Sequence, residues 1–428
     1  MRMFSFAHLK DRLLANSFWL LTDNFATTVI NFAFWSLAIR LYEPGEIGFS
    51  QALVSIGLLI MVISRLGLEN AAIRYVGTSG EKIKLLRSFF TIAIPLSIAI
   101  GMSFVIFSND LAPDLAILKG DVLIMLAFML FIVFQIGNTI LDGAMISMAS
   151  AKQMAIKNIT LSILKIIFLV SLSFFVKDWT AIFVALTAAF GVGLAIALAV
   201  FASVLRPRTL DERINDHVEH PLGDIVRFSA TNYFMVISLL ALPYMLPVLI
   251  LNMRGPVETA SFYFSWVIAS MLFVIPYTFS SMVLSEGSKG SGHLVEAHSK
   301  GIRYSLSVLI LPAIALIVLD NRVLMIFGDS FIPAAAWLLR LLAISSFFVC
   351  INAISVSRLN IEKRYSAVLL MNLLIFSCTI VVSFIMMPSK GLAAIGIGWL
   401  IGQGLASLVA VAAIRSRGTS VERVTADI

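Results

Sequence analysis

From Asn16 to Arg415 the chain is a succession of apolar stretches about twenty residues long, each closed by a short charged or turn-forming break. Hydrocarbon cannot satisfy backbone N–H and C=O groups, so stretches of this length are read as membrane-spanning helices. The composition agrees: 60% of the residues are hydrophobic and 13% charged, against about 25% charged in soluble domains. The runs number twelve, at 17–39, 46–64, 85–107, 122–146, 156–176, 180–204, 225–251, 258–284, 303–320, 334–357, 365–387 and 391–414.

Twelve spans put both termini on one side, and the lysines and arginines say which. Segments on the side of the N-terminus hold 23 of the 31, and those on the other side hold 6. The positive-inside rule therefore predicts cytoplasmic termini and a multi-pass protein of the cell membrane. The start, MRMFSFAHLKDRLLANSFWLL, carries positive residues but no small-residue cleavage site, and reads as a cytoplasmic lead-in. The formal net charge of +7 belongs to loops facing anionic lipid and does not imply nucleic acid. Cys350 and Cys378 lie inside apolar runs and offer neither a disulfide nor a metal framework.

The longest charged break, 205–224, falls near the midpoint. At an offset of 212, Pro44-Gly45-Glu46 falls on Pro256-Val257-Glu258, each opening the second span of a half. At 214, Asn138 falls on Asn352 and Asn158 on Asn372. Six spans per half is an even number, so the halves run parallel. The expected fold is an all-α polytopic membrane protein with about twelve transmembrane helices. They would form two six-helix bundles, 1–204 and 225–428, joined by the linker 205–224 and related by a pseudo-two-fold axis along the membrane normal. Paired bundles with a site at their interface are a transporter architecture.

Ionisable residues within spans are costly and call for a reason. Lys165 lies about 14 Å in from the cytoplasmic end of its span, too deep to snorkel easily, and is expected to face a polar cavity. Arg340 is nearer the outer end, where snorkelling competes with a cavity role. Asp23 is a candidate for a coupling cation or a basic partner. Asp142, close to a cytoplasmic end, reads first as a solvated helix terminus and second as a coupling or gate residue. Arg65 and Arg74 flank a weakly polar cytoplasmic segment and could present guanidinium forks to a phosphate. Glu286 matches Arg74 at the offset of 212, so the two are candidates for an inner gate. No G-x-x-x-x-G-K-[ST], H-E-x-x-H or G-x-S-x-G is present, so neither ATP hydrolysis nor an enzyme active site is expected.

Four stretches, in order, carry a resemblance. 41-LYEPGEIGFSQALVSIGLLIMVISRLGLENAAIRY-75, 262-FYFSWVIASMLFVIPYTFSSMVLSEGS-288, 324-LMIFGDSFIPAAAWLLRLLAISSF-347 and 391-GLAAIGIGWLIGQ-403 resemble segments of polysaccharide-type flippases. These belong to the multidrug/oligosaccharidyl-lipid/polysaccharide exporter superfamily. The resemblance implies alternating access and movement of a polyprenyl-pyrophosphate oligosaccharide to the outer leaflet. It also implies a cationic cavity, a coupling H+ or Na+, no cofactor, and glycosyltransferases as candidate partners. Lys165 and Arg340 are assigned to that cavity by depth and charge rather than by a family motif. The alternatives are a multidrug cation antiporter of the same superfamily, which should carry deeper acids in its first half, and a membrane glycosyltransferase or polymerase. Short outside loops argue against the latter, and Lys165 argues against an inert scaffold.

Overall fold

The structure is a computed structural model; it describes residues 3–204, 233, 237, 241–287, 291–325 and 332–426. The described residues are almost entirely helical, with no strands among them. The first six long helices are α1 Met3–Leu41, α2 Pro44–Ser64, α3 Lys82–Leu111, α4 Val122–Ser147, α5 Ala151–Ser173 and α6 Trp179–Val204. The next six are α7 Ala241–Arg254, α8 Pro256–Gly287, α9 Ser291–Val318, α10 Ile332–Ile361, α11 Tyr365–Lys390 and α12 Ala393–Ala426. Ten of these are long and apolar enough to cross a membrane. The lead-in before the first span is not a separate segment: α1 is helical from Met3. The expected linker 205–224 lies outside the described residues.

Local chemistry sets the helix ends. Asp121 caps α4, its Oδ1 accepting from the N–H groups of Leu123 and Ile124 at 2.8 and 3.2 Å. Pro44 opens α2 directly after the extended Glu43, where its missing N–H costs nothing. Two residues on, Glu46 Oε2 accepts from Trp179 N at 2.7 Å, setting a carboxylate against the positive end of α6. In the matching turn of the other half, Gly255 takes φ +88°, and Glu258 pairs with Arg254 at 2.7 Å. The P-x-E turns thus begin equivalent helices, while their carboxylates hold different partners.

The helices fall into two compact units, Met1–Phe234 and Met235–Ile428. In the first, α2 packs on α3, α4 and α6, α4 on α6, and α5 on α1 and α6. In the second, α8 packs on α9 and α10, α10 on α12, and α11 on α12. The repeated pattern is pinned by one repeated bond. Asn138 of α4 donates to the carbonyl of Phe190 on α6 at 3.0 Å, and Asn352 of α10 donates to that of Gln403 on α12 at 2.9 Å.

Aromatic rings fill both interiors: Phe128, Phe131 and Phe183 in the first unit, and Phe262, Trp266, Phe273 and Trp399 in the second. Large apolar side chains such as Phe174, Phe175, Leu311 and Ile385 are exposed, as suits surfaces facing lipid tails.

With lipid outside, helices gain little from apolar contact alone and associate through close backbone approach. α12 supplies this with Gly398 and Gly402, a G-x-x-x-G pair against α11. A Cβ on Gly402 would stand 2.9 Å from Ile375 Cα, and one on Gly398 would stand 3.0 Å from Cys378 O. On the same helix Gly404 has nothing within 4 Å of that position. Gly402→Val should therefore lower unfolding stability in detergent by about 1–3 kcal/mol, while Gly404→Ala leaves it unchanged or slightly raised. Thermal unfolding of the two variants beside the parent checks this.

Candidate functional site

The first unit buries a connected set of polar side chains from three helices. Lys157 of α5 is only 1% exposed and pairs with Asp142 of α4, Nζ to Oδ1, at 2.7 Å. The same Nζ donates to Asn138 Oδ1 at 3.3 Å. One residue on, Asn158 donates to Oδ2 of Asp23 on α1 at 3.0 Å and stands within interaction distance of Asp142. Asp23 is 8% exposed, and its Oδ1 is buried without a hydrogen-bond partner. Asp142 and Lys157 lie close enough for their charges to act on it. A short turn between α4 and α5 makes this arrangement possible. Asp142 sits near the end of one helix and Lys157 near the start of the next, so the hairpin lays them side by side.

Lys165, two turns further along α5, stands apart from this set. Its Nζ lies over the Phe190 ring, 4.6 Å from the centroid, and no carboxylate pairs with it among the described residues. In the second unit Arg340 is held by Asp320, Nε to Oδ2, at 2.6 Å and lies over the Trp337 ring at 5.1 Å. Asp320 is 2% exposed.

Arg65 pairs with Glu69 at 3.3 Å, both largely covered. Burial holds the Glu69 carboxyl above its usual range against the pull of Arg65. Arg74 lies over the Tyr75 ring at 5.3 Å, in the π-helical turn Ala72–Val76. It belongs to the first unit and Glu286 to the second. Among the described residues no group of three His, Cys, Asp or Glu side chains could hold a metal ion.

No family model matches the chain, and no curated protein matches it. Solved structures do. An inward-facing multidrug resistance MATE family transporter of the MOP superfamily aligns with TM-score 0.62 and 16% identity, over 95% of this chain and 96% of its own. An outward-facing multidrug resistance MATE family transporter aligns at 0.54 and 18%, over 97% of each chain. The eukaryotic MATE transporter AtDTX14 aligns at 0.60 and 14%, over 94% and 96%. The chain has the MATE fold. These neighbours share the superfamily of the resemblance noted in the sequence, but they carry the multidrug name and lend no support to its polysaccharide branch.

Two sequence expectations are corrected within this MATE-fold unit. Asp142 is not a solvated helix terminus, because Lys157 neutralises it. Lys157, counted with the inside loops, is buried in α5. Sequence reasoning missed Lys157 and Asp320 as partners. Each was legible as an opposite charge 15 or 20 residues from an in-span ion.

The repeat supplies an internal control. At the offset of 214 that matches Asn138 with Asn352, Asp142 falls on Val356 and Lys157 on Met371. There the polar set is neutral, Asn352 bonding Gln403 Oε1 at 2.7 Å and Ser407 Oγ at 3.0 Å. The same helix packing is thus built without a charge pair. Lys157→Met or Asp142→Val alone, leaving one buried charge, should cost about 3–5 kcal/mol, and the double replacement should restore most of it. Chemical unfolding of the four proteins in detergent measures the coupling.

Proposed function

We propose that this chain is a secondary transporter working by alternating access between its two units, in which proton binding at Asp23 drives export of amphiphilic organic compounds. It sits in the cell membrane with both termini cytoplasmic. The observation that supports coupling is the asymmetry of the repeat: the Asp142–Lys157 ion pair beside Asp23 in the first unit, and Val356 and Met371 beside the amide Asn352 at the places matching that pair in the second. A charge pair that packing does not require is better explained by a state change that uses it.

The chemistry follows from Asp23. Ionised, its Oδ2 accepts from Asn158 and its free Oδ1 needs a cation. Protonated, the carboxyl gains a donor and loses its charge, so the contact between α1 and α5 changes in both hydrogen-bond sense and electrostatics. Asp142 is already paired with Lys157, which leaves Asp23, one of whose oxygens has no partner, as the group that cycles. A ligand shifts a conformational equilibrium only by its differential affinity for the two states, and the proton's differential affinity lies in this contact.

The substrate class follows the multidrug naming of the structural neighbours. One observation favours a second reading, flipping of a lipid-linked oligosaccharide: Lys165 is a deep cation lacking a carboxylate among the described residues, suited to a pyrophosphate. Proteoliposomes separate the two. Under an imposed pH gradient, ethidium uptake well above that of protein-free vesicles is expected, and a labelled polyprenyl-pyrophosphate sugar should stay in its leaflet. Movement of the sugar lipid alone, cut at least tenfold by Lys165→Ala, would establish the second reading. Movement of neither substrate would refute both.

A further inference from the structure

The surface of the first unit carries a groove of about 660 Å³, within the size range of ligand sites. α3 forms one wall through Ile83, Arg87, Thr91 and Pro95, spaced one per turn. α6 forms the other through Leu198 and Ala202, and Leu141 of α4 is the floor. Ile83 and Leu198 are exposed while Leu141 is buried, so the groove is open along its length. Ile83 to Pro95 spans about 18 Å of helix, close to the depth of one leaflet of a hydrocarbon core of about 30 Å. Among the described residues Arg87 is the one charged residue lining it, set toward the N-terminal end of α3.

We propose that this groove is a binding site for an anionic phospholipid, one acyl chain lying between α3 and α6 and the phosphate on Arg87. All three helices are of membrane-spanning length and apolarity, so an open apolar groove between them meets lipid tails. The charge at its mouth selects the head group. Arg87 makes no hydrogen bond or ion pair among the described residues, whereas neighbouring Lys84 is held by Glu81 at 2.7 Å. A guanidinium offers paired donors to phosphate oxygens. The start of α3, which Glu81 leaves without a side-chain cap, adds a positive field. The lysine and arginine distribution assigns this end to the cytoplasmic leaflet, where anionic lipid supplies the complementary charge. The floor residue Leu141 directly precedes Asp142, which puts the lipid against the helix turn that carries the Lys157 pair.

Native mass spectrometry of the full chain in detergent, titrated with phosphatidylglycerol or phosphatidylcholine of the same chains, tests the site. Phosphatidylglycerol should bind the parent more tightly, and Arg87→Gln should remove about fivefold of that affinity. Ala202→Trp, which fills the groove, should abolish the tight site, and Lys119→Gln at the opposite end of the unit should change nothing. As a second readout, phosphatidylglycerol should raise the unfolding temperature of the parent more than that of Arg87→Gln. Equal binding of the two lipids by the parent, or unchanged affinity in both Arg87→Gln and Ala202→Trp, would overturn the proposal. Displacement of the lipid by ethidium would overturn it too, by making the groove a substrate site.

Discussion

Hydrocarbon offers no partner to a backbone N–H or C=O, and the structure depends on that constraint throughout. It forces each long apolar run into a helix that satisfies its own backbone. It then removes most of the apolar driving force that would press those helices together, since lipid tails serve as well as leucine. What joins them here is specific and local. Gly398 and Gly402 let α12 approach the backbone of α11. Asn138 and Asn352 reach across to carbonyls on the sixth helix of their own units, and Glu46 ties the turn between α1 and α2 to the start of α6.

The same constraint gives charge its meaning. In water an exposed ion pair contributes little; among apolar helices each ion needs a named partner. Asp320 answers for Arg340 and Asp142 for Lys157. Asp23 has Asn158 on one oxygen and no partner on the other. The two units share packing but not this chemistry. Their shared part, the amide-to-carbonyl bond between fourth and sixth helices, maintains the frame. The Asp142–Lys157 pair beside Asp23, matched by Val356 and Met371 in the second unit, is where we propose that a proton alters a helix contact.

Much of the fold was legible in the sequence because hydrophobic run length reports directly on the bilayer. The spans expected at 122–146 and 180–204 became Val122–Ser147 and Trp179–Val204. Helix ends carrying charge were harder: the run expected at 303–320 is a helix from Ser291, because His293, Glu296, His298 and Lys300 interrupt hydropathy without interrupting the helix. The site was half legible. Charge within an apolar span singled out Asp23, Lys165 and Arg340, yet ion pairing depends on which faces meet, and linear order hides that. Lys157 looked like one more inside lysine until α4 and α5 were laid side by side. The first P-x-E turn marked the repeat correctly, although its carboxylate and that of Glu258 serve different partners.

Placing the coupling step at Asp23 links these layers: an apolar interior makes its charge expensive, Asn158 makes its protonation state a matter of helix contact, and the adjoining Asp142–Lys157 pair is replaced by Val356 and Met371 in the repeat. The direct measurement is proton movement itself, followed with a pH dye trapped in proteoliposomes while an ethidium gradient is imposed without a pH gradient. The parent should drive protons against the ethidium flow, and Asp23→Asn should abolish the proton signal while ethidium still binds. A proton signal of parental size in Asp23→Asn, or ethidium flow that responds only to a sodium gradient, would contradict the account.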